Sequence, residues 1–260
     1  MEKITSKNNQ LIKDTKKLFT HTKARKDNGV FVLEGARLCF DVLNSFYTVD
    51  KVFTTQKAYD KYKDKMDELE SKASATYLIT EDIASRLSDT VASQGIFVVC
   101  KIDKSKNSTN PLELNKIVAL DNVQDPSNLG AIVRTGEALG IDAIITCSGC
   151  DIYNPKALRA SMGSMLRMNI IEVDSLTDCI SSLKQNGFSV YSTVPNSNAK
   201  KITDVDFSNK SICVIGNEAN GVSEKIKSIS NSLITIPMLG RAESLNASVA
   251  ASITMWEMLR

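Results

Sequence analysis

A single histidine, His21, is all that the 260 residues offer to hydrolytic chemistry of the Ser-His or Cys-His kind, and it lies among lysines. That reads as a surface residue and argues against a nucleophile activated by an imidazole. No apolar run approaches the roughly 20 residues that span a bilayer, so no membrane segment is expected. The opening residues, MEKITSKNNQ, are polar and lead into no apolar core of the secretory kind, which puts the expected location in the cytoplasm. The six cysteines fall mostly inside apolar stretches, as reduced thiols do in a chain of this size. Only Cys147 and Cys150 form a C-x-x-C; without a second pair or a nearby histidine, no metal site is expected. A G-x-G-x-x-G is absent, which argues against a dehydrogenase on a nicotinamide-binding sheet. The spacing of GNEANGVSE, Gly216 to Glu224, invites comparison with a P-loop, but Val222 stands where the phosphate-binding lysine is needed.

What is present is an ordinary globular composition, 42% hydrophobic and 24% charged, with a net charge of +2. The charge is unevenly spread. The first thirty residues hold eight Lys or Arg against three acids, the local basic excess expected of a nucleic-acid partner or of a solvated helix face. Lys13, Lys16, Lys17, Lys23 and Arg25 are the candidate RNA contacts there, and Arg159 in YNPKALRASMGS is a further candidate for a phosphate.

The chain reads as two α/β domains. Residues 1–103 hold a helical lead from Asn9 to Lys26, strands FVLEG, KVFTT, TYLIT and IFVVC, and intervening helices. Residues 104–114, polar and proline-containing, read as a linker. Residues 115–260 alternate short β-branched runs (KIVAL, DAIIT, NIIEV, FSVYST, SICVIG, LITIPM) with segments of helical period, the pattern of a doubly wound parallel sheet.

Ligands of such sheets gather beyond the carboxyl ends of the strands. After KIVALDNV the chain turns at Asp125-Pro126, offers Ser127 or Asn128 as a helix cap, and runs as a helix to Gly140 with Leu129, Ile132, Val133 and Leu139 as its buried stripe. Arg134 stands one turn after Gly130 on the same face, where its side chain can fold back toward the helix start; a surface pairing with Glu137 is the plainer reading. After SICVIG comes a tight loop with Asn217 and Glu218, then a helix capped near Ser223. After LITIPM comes LGRAESLNAS, where Ser244 and Asn246 are natural caps for a terminal helix whose packing face is expected to include Trp256.

NLGAIVRTGEALG, GNEANGVSE and IPMLGRAESLNASVA, in this order, resemble the three signature motifs of the SpoU (TrmH) family of RNA 2'-O-ribose methyltransferases in the SPOUT superfamily. SKNNQLIKDTKKL and FVLEGARLCFDVL are similar to the L30e-like substrate-binding domain of members that modify large-subunit RNA. The resemblance implies S-adenosyl-L-methionine as methyl donor, a trefoil knot in the C-terminal domain, a homodimer, and RNA, 23S rRNA in particular, as substrate. It leaves a tRNA methyltransferase or a catalytically silent RNA-binding protein as alternatives. By position it assigns Asn128, Arg134, Glu218, Ser244 and Asn246 to catalysis, and Thr193, Gly216, Ile236 and Leu245 to the methyl-donor pocket. Ala247 stands where the family commonly has Val. Two roles for Arg134 remain open: the base that takes the ribose proton, or a clamp on the adjacent phosphate. A guanidinium holds its proton to a pKa above about 12.

Overall fold

In a computed structural model, residues 1–91, 93–103 and 109–260 are described, and they form two compact units, Met1–Lys106 with Asp151–Arg167, and Asn107–Cys150 with Met168–Arg260. Of the expected linker, 104–108 lie outside the described residues; the rest contains a 3-10 turn, Pro111–Glu113, capped by Asn110.

In the first unit, strand β1 (Glu2–Ile4) precedes helix α1 (Gln10–Thr20). Asn9 caps α1 by accepting the Leu11 N–H at 2.8 Å, and Ile12, Thr15, Leu18 and Phe19 repeat at helical spacing to make its buried face. The helical lead is not continuous. His21 is extended (φ −125°, ψ 111°) and separates α1 from α2 (Thr22–Asn28), which ends at Gly29 in the left-handed region, φ 61°. Strand β2 (Val30–Glu34), α3 (Ala36–Asp41), β3 (Thr48–Thr55), α4 (Gln56–Lys61), α5 (Lys63–Lys72), β4 (Ala75–Ile79), α6 (Glu81–Leu87) and β5 (Ile96–Lys101) follow. The sheet order is β1-β4-β3-β5-β2, with β5 antiparallel to both β3 and β2. Val32, Phe53, Phe97 and Val99 face Leu18, Phe19, Ile83 and Leu87 in one core.

In the second unit, β6 (Lys116–Asp121), α7 (Pro126–Leu139) and β7 (Ala143–Cys147) come first. The chain then forms α8 (Pro155–Ala160) within the first unit and returns for β8 (Ile170–Glu172), α9 (Leu176–Gln185), β9 (Ser189–Thr193), β10 (Lys200–Lys201), β11 (Ser211–Gly216), α10 (Glu224–Ile229), β12 (Ser232–Thr235) and α11 (Ala247–Leu259). The seven strands run parallel in the order β10-β12-β9-β11-β6-β7-β8. Alternate residues of β6 serve opposite faces: Ile117 and Ala119 join the core under α9 and α10, while α7 and α11 pack together against the other. This is the doubly wound sheet read from the sequence.

Two features differ from the sequence reading. Trp256 is 57% exposed; Ala247, Ala251, Thr254, Met255 and Met258 are the buried face of α11 instead. The helix is apolar around most of its circumference, so its pattern does not choose a face. The second difference is the excursion 151–167, which packs with the first unit. Tyr153 stacks on Phe31 with ring centroids 4.6 Å apart, and Arg167 pairs with Asp41 at 3.6 Å. Gly163 (φ 94°) lies so close to Asp41 that a Cβ would meet its Oδ2 at 2.0 Å.

Candidate active site

Strands β6 and β11 are neighbours, with Asp121 opposite Gly216, and the crossovers diverge around them: β7 and β8 lie on one side, β9 and β12 on the other. The crevice at their carboxyl ends is therefore where a ligand site is expected. The loop after β6 passes through Asn122 in the left-handed region (φ 60°) and reaches Asp125, whose side chain accepts the Ser127 N–H at 2.7 Å. Asp125 is the cap of α7 and Pro126 its first residue. The expected cap, Ser127 or Asn128, lies inside the first turn, which frees Asn128 for another task.

The loop after β11 closes on itself. Asn217 and Gly221 exchange backbone bonds of 3.1 and 2.9 Å, and a Cβ on Gly216 would stand 2.1 Å from the Gly221 carbonyl carbon, so only glycine fits. The Asn217 side chain joins the two loops by donating from Nδ2 to the Asn122 carbonyl at 2.9 Å. Glu218 completes the joint. Its Oε1 accepts the Asp125 N–H at 3.1 Å and Asn128 Nδ2 at 2.9 Å, and its Oε2 accepts the Gln124 N–H at 3.1 Å. Partial burial alone would raise this carboxyl's pKa. The Asn128 amide and the backbone N–H groups, its own and those of Gln124 and Asp125, outweigh that and hold it below its ordinary value.

The third motif arrives at the same place. Asn246 Nδ2 donates to Asn128 Oδ1 at 3.0 Å, while its own Oδ1 caps α11 by accepting the Ser248 N–H at 2.9 Å. A chain of amides and carboxylate thus runs Asn246, Asn128, Glu218 across segments separated by 118 and 90 residues. Each amide is fixed in orientation because its two ends meet unlike partners. Asn128, 6% exposed, is the buried centre of this chain. Arg134 is exposed on α7 and makes no hydrogen bond or ion pair among the described residues. Ser244 is likewise exposed. Asn217, which fastens the two loops, was not among the expected site residues; its place beside Glu218 at a strand end was the available signal.

Of the expected donor-pocket residues, Thr193, Gly216 and Ile236 lie at or just past the carboxyl ends of their strands. Thr193 ends β9 opposite Ile234 of β12, and its Oγ1 donates to the Val214 carbonyl of β11 at 2.9 Å. Gly216 ends β11, Ile236 lies two residues past Ile234, and Leu245 precedes Asn246. These groups offer backbone amides, a hydroxyl and aliphatic surface rather than acids or thiols, a set that fits an adenosyl group bearing a sulfonium. Among the described residues no cluster of three His, Cys, Asp or Glu could hold a metal ion.

The expected RNA contacts fare unequally. Lys13 and Lys23 are exposed, and Lys17 is exposed beside Asp14 at 2.9 Å. Lys16 donates to the carbonyls of Leu87 and Ser88 at 3.1 and 2.9 Å, at the end of α6. Arg25 is a correction. It is 2% exposed, its Nε and Nη2 meet Asp151 Oδ2 at 2.8 and 2.6 Å, its Nη1 donates to the Leu18 carbonyl at 2.6 Å, and it has no surface for a phosphate. Arg159 pairs with Asp89 at 2.9 Å and keeps about a third of its side chain exposed.

The convergence of the three motifs at one crevice of a parallel sheet accords with the methyltransferase reading. The chain belongs to the SpoU rRNA Methylase family, whose pattern matches residues 115–256, and residues 9–98 match the MRM3-like substrate binding domain. It is 32% identical over 259 residues to the Bacillus subtilis 23S rRNA (guanosine(2553)-2'-O)-methyltransferase RlmP, covering 99% of each chain. It is 29% identical to an uncharacterized tRNA/rRNA methyltransferase of Synechocystis over 99% of this chain and 93% of that one. The AdoMet-bound rRNA methyltransferase from Sinorhizobium meliloti superposes with a TM-score of 0.87 at 26% identity, over 99% of this chain and 97% of that structure.

Proposed function

We propose that the protein transfers a methyl group from S-adenosyl-L-methionine to a ribose 2'-hydroxyl of 23S rRNA, with residues 1–103 reading the RNA and 115–260 carrying the chemistry. The observation that carries this reading is the Asn246, Asn128, Glu218 chain, which joins all three motifs at one crevice. S-adenosyl-L-methionine supplies a methyl group already activated by its sulfonium, and Thr193, Gly216, Ile236 and Leu245 would hold it. What remains for the protein is alignment and removal of the hydroxyl proton. Glu218 is a poor candidate for that proton, because its carboxylate already accepts three donors and is held in the charged form. Arg134, unpaired and permanently charged, suits the electrostatic role better: it clamps the neighbouring phosphate and polarises the 2'-hydroxyl, whose proton leaves to a phosphate oxygen or water. Asn128 and Asn246 keep the start of α7 in register for it, and Ser244 lies beside Asn246 to meet the ribose.

The same reading includes a homodimer and a trefoil knot formed by the C-terminal chain. Val249 and Trp256, 46% and 57% exposed and seven residues apart on α11, give a second copy apolar surface to cover. No helix among the described residues is long and apolar enough to cross a membrane, which accords with action on ribosomal RNA in the cytoplasm. The test is nuclease digestion and mass spectrometry of rRNA and tRNA from cells with and without the protein. The expected result is one 2'-O-methylated nucleotide in 23S rRNA that depends on it. A dependent methyl group in tRNA alone would overturn the substrate, and none in either RNA would overturn the activity.

A further inference from the structure

Three lysines of the first unit, each paired with a carboxylate, stand around a cavity. It has a volume of about 570 Å³ and lies between α1, α2 and the end of the sheet where β2 begins and β5 finishes. There Lys101 is opposite Val30 of β2 and Thr48 of β3. Leu18 and Val99, both buried, belong to its apolar wall. Lys17, Lys51 and Lys101 line it, together with Asp14 and Asp50. None of the residues of the Asn246, Asn128, Glu218 chain lines it, so it is not the site of chemistry.

We propose that this cavity seats one unpaired nucleotide of the RNA substrate; the proposal rests on the RNA reading above and adds a second, separate contact to it. The size lies within the range of about 300–1,000 Å³ that small ligands occupy. A cavity of this kind admits a base that has left its stack and excludes a duplex, and sequence-specific RNA recognition uses such splayed bases. The aliphatic wall takes the base, and the two carboxylates are acceptors for the amino and imino hydrogens along its edge.

The lysines supply the complement to the backbone. Lys101 meets Asp50 at 3.6 Å and Lys17 meets Asp14 at 2.9 Å, both lysine side chains being more than half exposed, and Lys51 pairs with Asp50 as well. Ion pairs this open are weakly held, so a phosphate can draw either lysine away from its carboxylate. Lys13, Lys23 and Lys26 on the same two helices are exposed but do not line the cavity. The RNA reading above favours a polynucleotide over a free mononucleotide. Arg25, on the same wall, is buried and takes no part.

The test uses the full chain and a short single-stranded RNA carrying 4-thiouridine. Crosslinks are expected within 11–18, 24–30, 50–51 or 99–102. The double variant K17Q/K101Q is expected to bind this RNA about tenfold more weakly, and its logarithmic salt dependence should fall by about 0.7 for each lysine lost. S-adenosyl-L-methionine affinity and melting temperature should match the parent, as should RNA binding by Lys65→Gln, which lies on α5 away from the cavity. Affinity of the double variant within about twofold of the parent overturns the proposal. Crosslinks elsewhere, or equal competition by a duplex or by a free nucleoside monophosphate, also overturn it. Crosslinking needs no methyl transfer, so a parent protein that crosslinks here and fails to methylate would refute the enzymatic reading alone. Should the variant melt early, the crosslink map of the parent decides.

Discussion

Arg25 and Arg134 carry the same guanidinium into opposite surroundings, one in each unit. Arg25 is enclosed, with a carboxylate, a main-chain carbonyl and the Thr22 hydroxyl around it. Arg134 stands in the open with no partner among the described residues. Both lie on helices, and Arg25 has the more basic sequence neighbourhood. The contrast teaches that the charge available to a substrate is the charge the fold has left uncompensated, and local composition does not report it. The cluster of lysines near Arg25 pointed to RNA, yet that arginine is the one cation of the cluster closed inside the protein.

Substitution at each arginine separates the two roles. Arg134→Ala is expected to lower methyl transfer by on the order of 1,000-fold while S-adenosyl-L-methionine affinity and melting temperature stay at parental values. Single-turnover transfer to 23S rRNA, with calorimetry for the donor, measures this; turnover surviving within a few-fold would remove Arg134 from the chemistry. Arg25→Met should do the reverse. It removes the guanidinium from beside the Asp151 carboxylate and the Leu18 carbonyl inside the protein, at a cost of about 3–5 kcal/mol. Urea unfolding checks this, and the pair Arg25→Met/Asp151→Leu should recover much of the loss. A single variant as stable as the parent would mean the enclosed pair contributes nothing.

The smallest effect is the most local. Glu218 has a lowered folded-state pKa, so its contribution to stability is present above the ordinary value of 4.5 and fades as pH falls through the lower, folded value. The Gln124 and Asp125 amides, which donate to it, should therefore follow a common titration in NMR with a midpoint below 4.5. A midpoint above 4.5 would show that burial, not the donors, governs this carboxylate.

Much of the catalytic unit was legible because its signals are periodic or local. The strands are continuous β-branched runs, and glycine at 140 marks the end of α7 with φ 89°. Asn128, Glu218 and Asn246 were legible as a set through three ordered motifs, and the structure joins them. What escaped was decided at long range. Arg25 is enclosed because Asp151, 126 residues later, reaches it. The excursion 151–167 belongs with the first unit because Phe31 offers Tyr153 a stacking partner, a match that no window of sequence contains. Trp256 was misplaced for another reason: when nearly every side of a helix is apolar, only the neighbours reveal which side is covered. Strand β1 is three residues long and owes its existence to pairing with β4, so its own sequence carries almost no signal.

The excursion between β7 and β8 also bears on how this architecture can be shortened. A cut in the stretch around 104–114 looks like a clean way to release the methyltransferase half, yet it would strip the cover from Tyr153, Ile152 and Leu158, all buried. A lineage that discards the leading domain must rebuild this loop in the same stroke, and one that acquires such a domain must evolve a plug for it. Gain and loss of the leading domain are thereby written into the trailing half of the gene as well as the leading one.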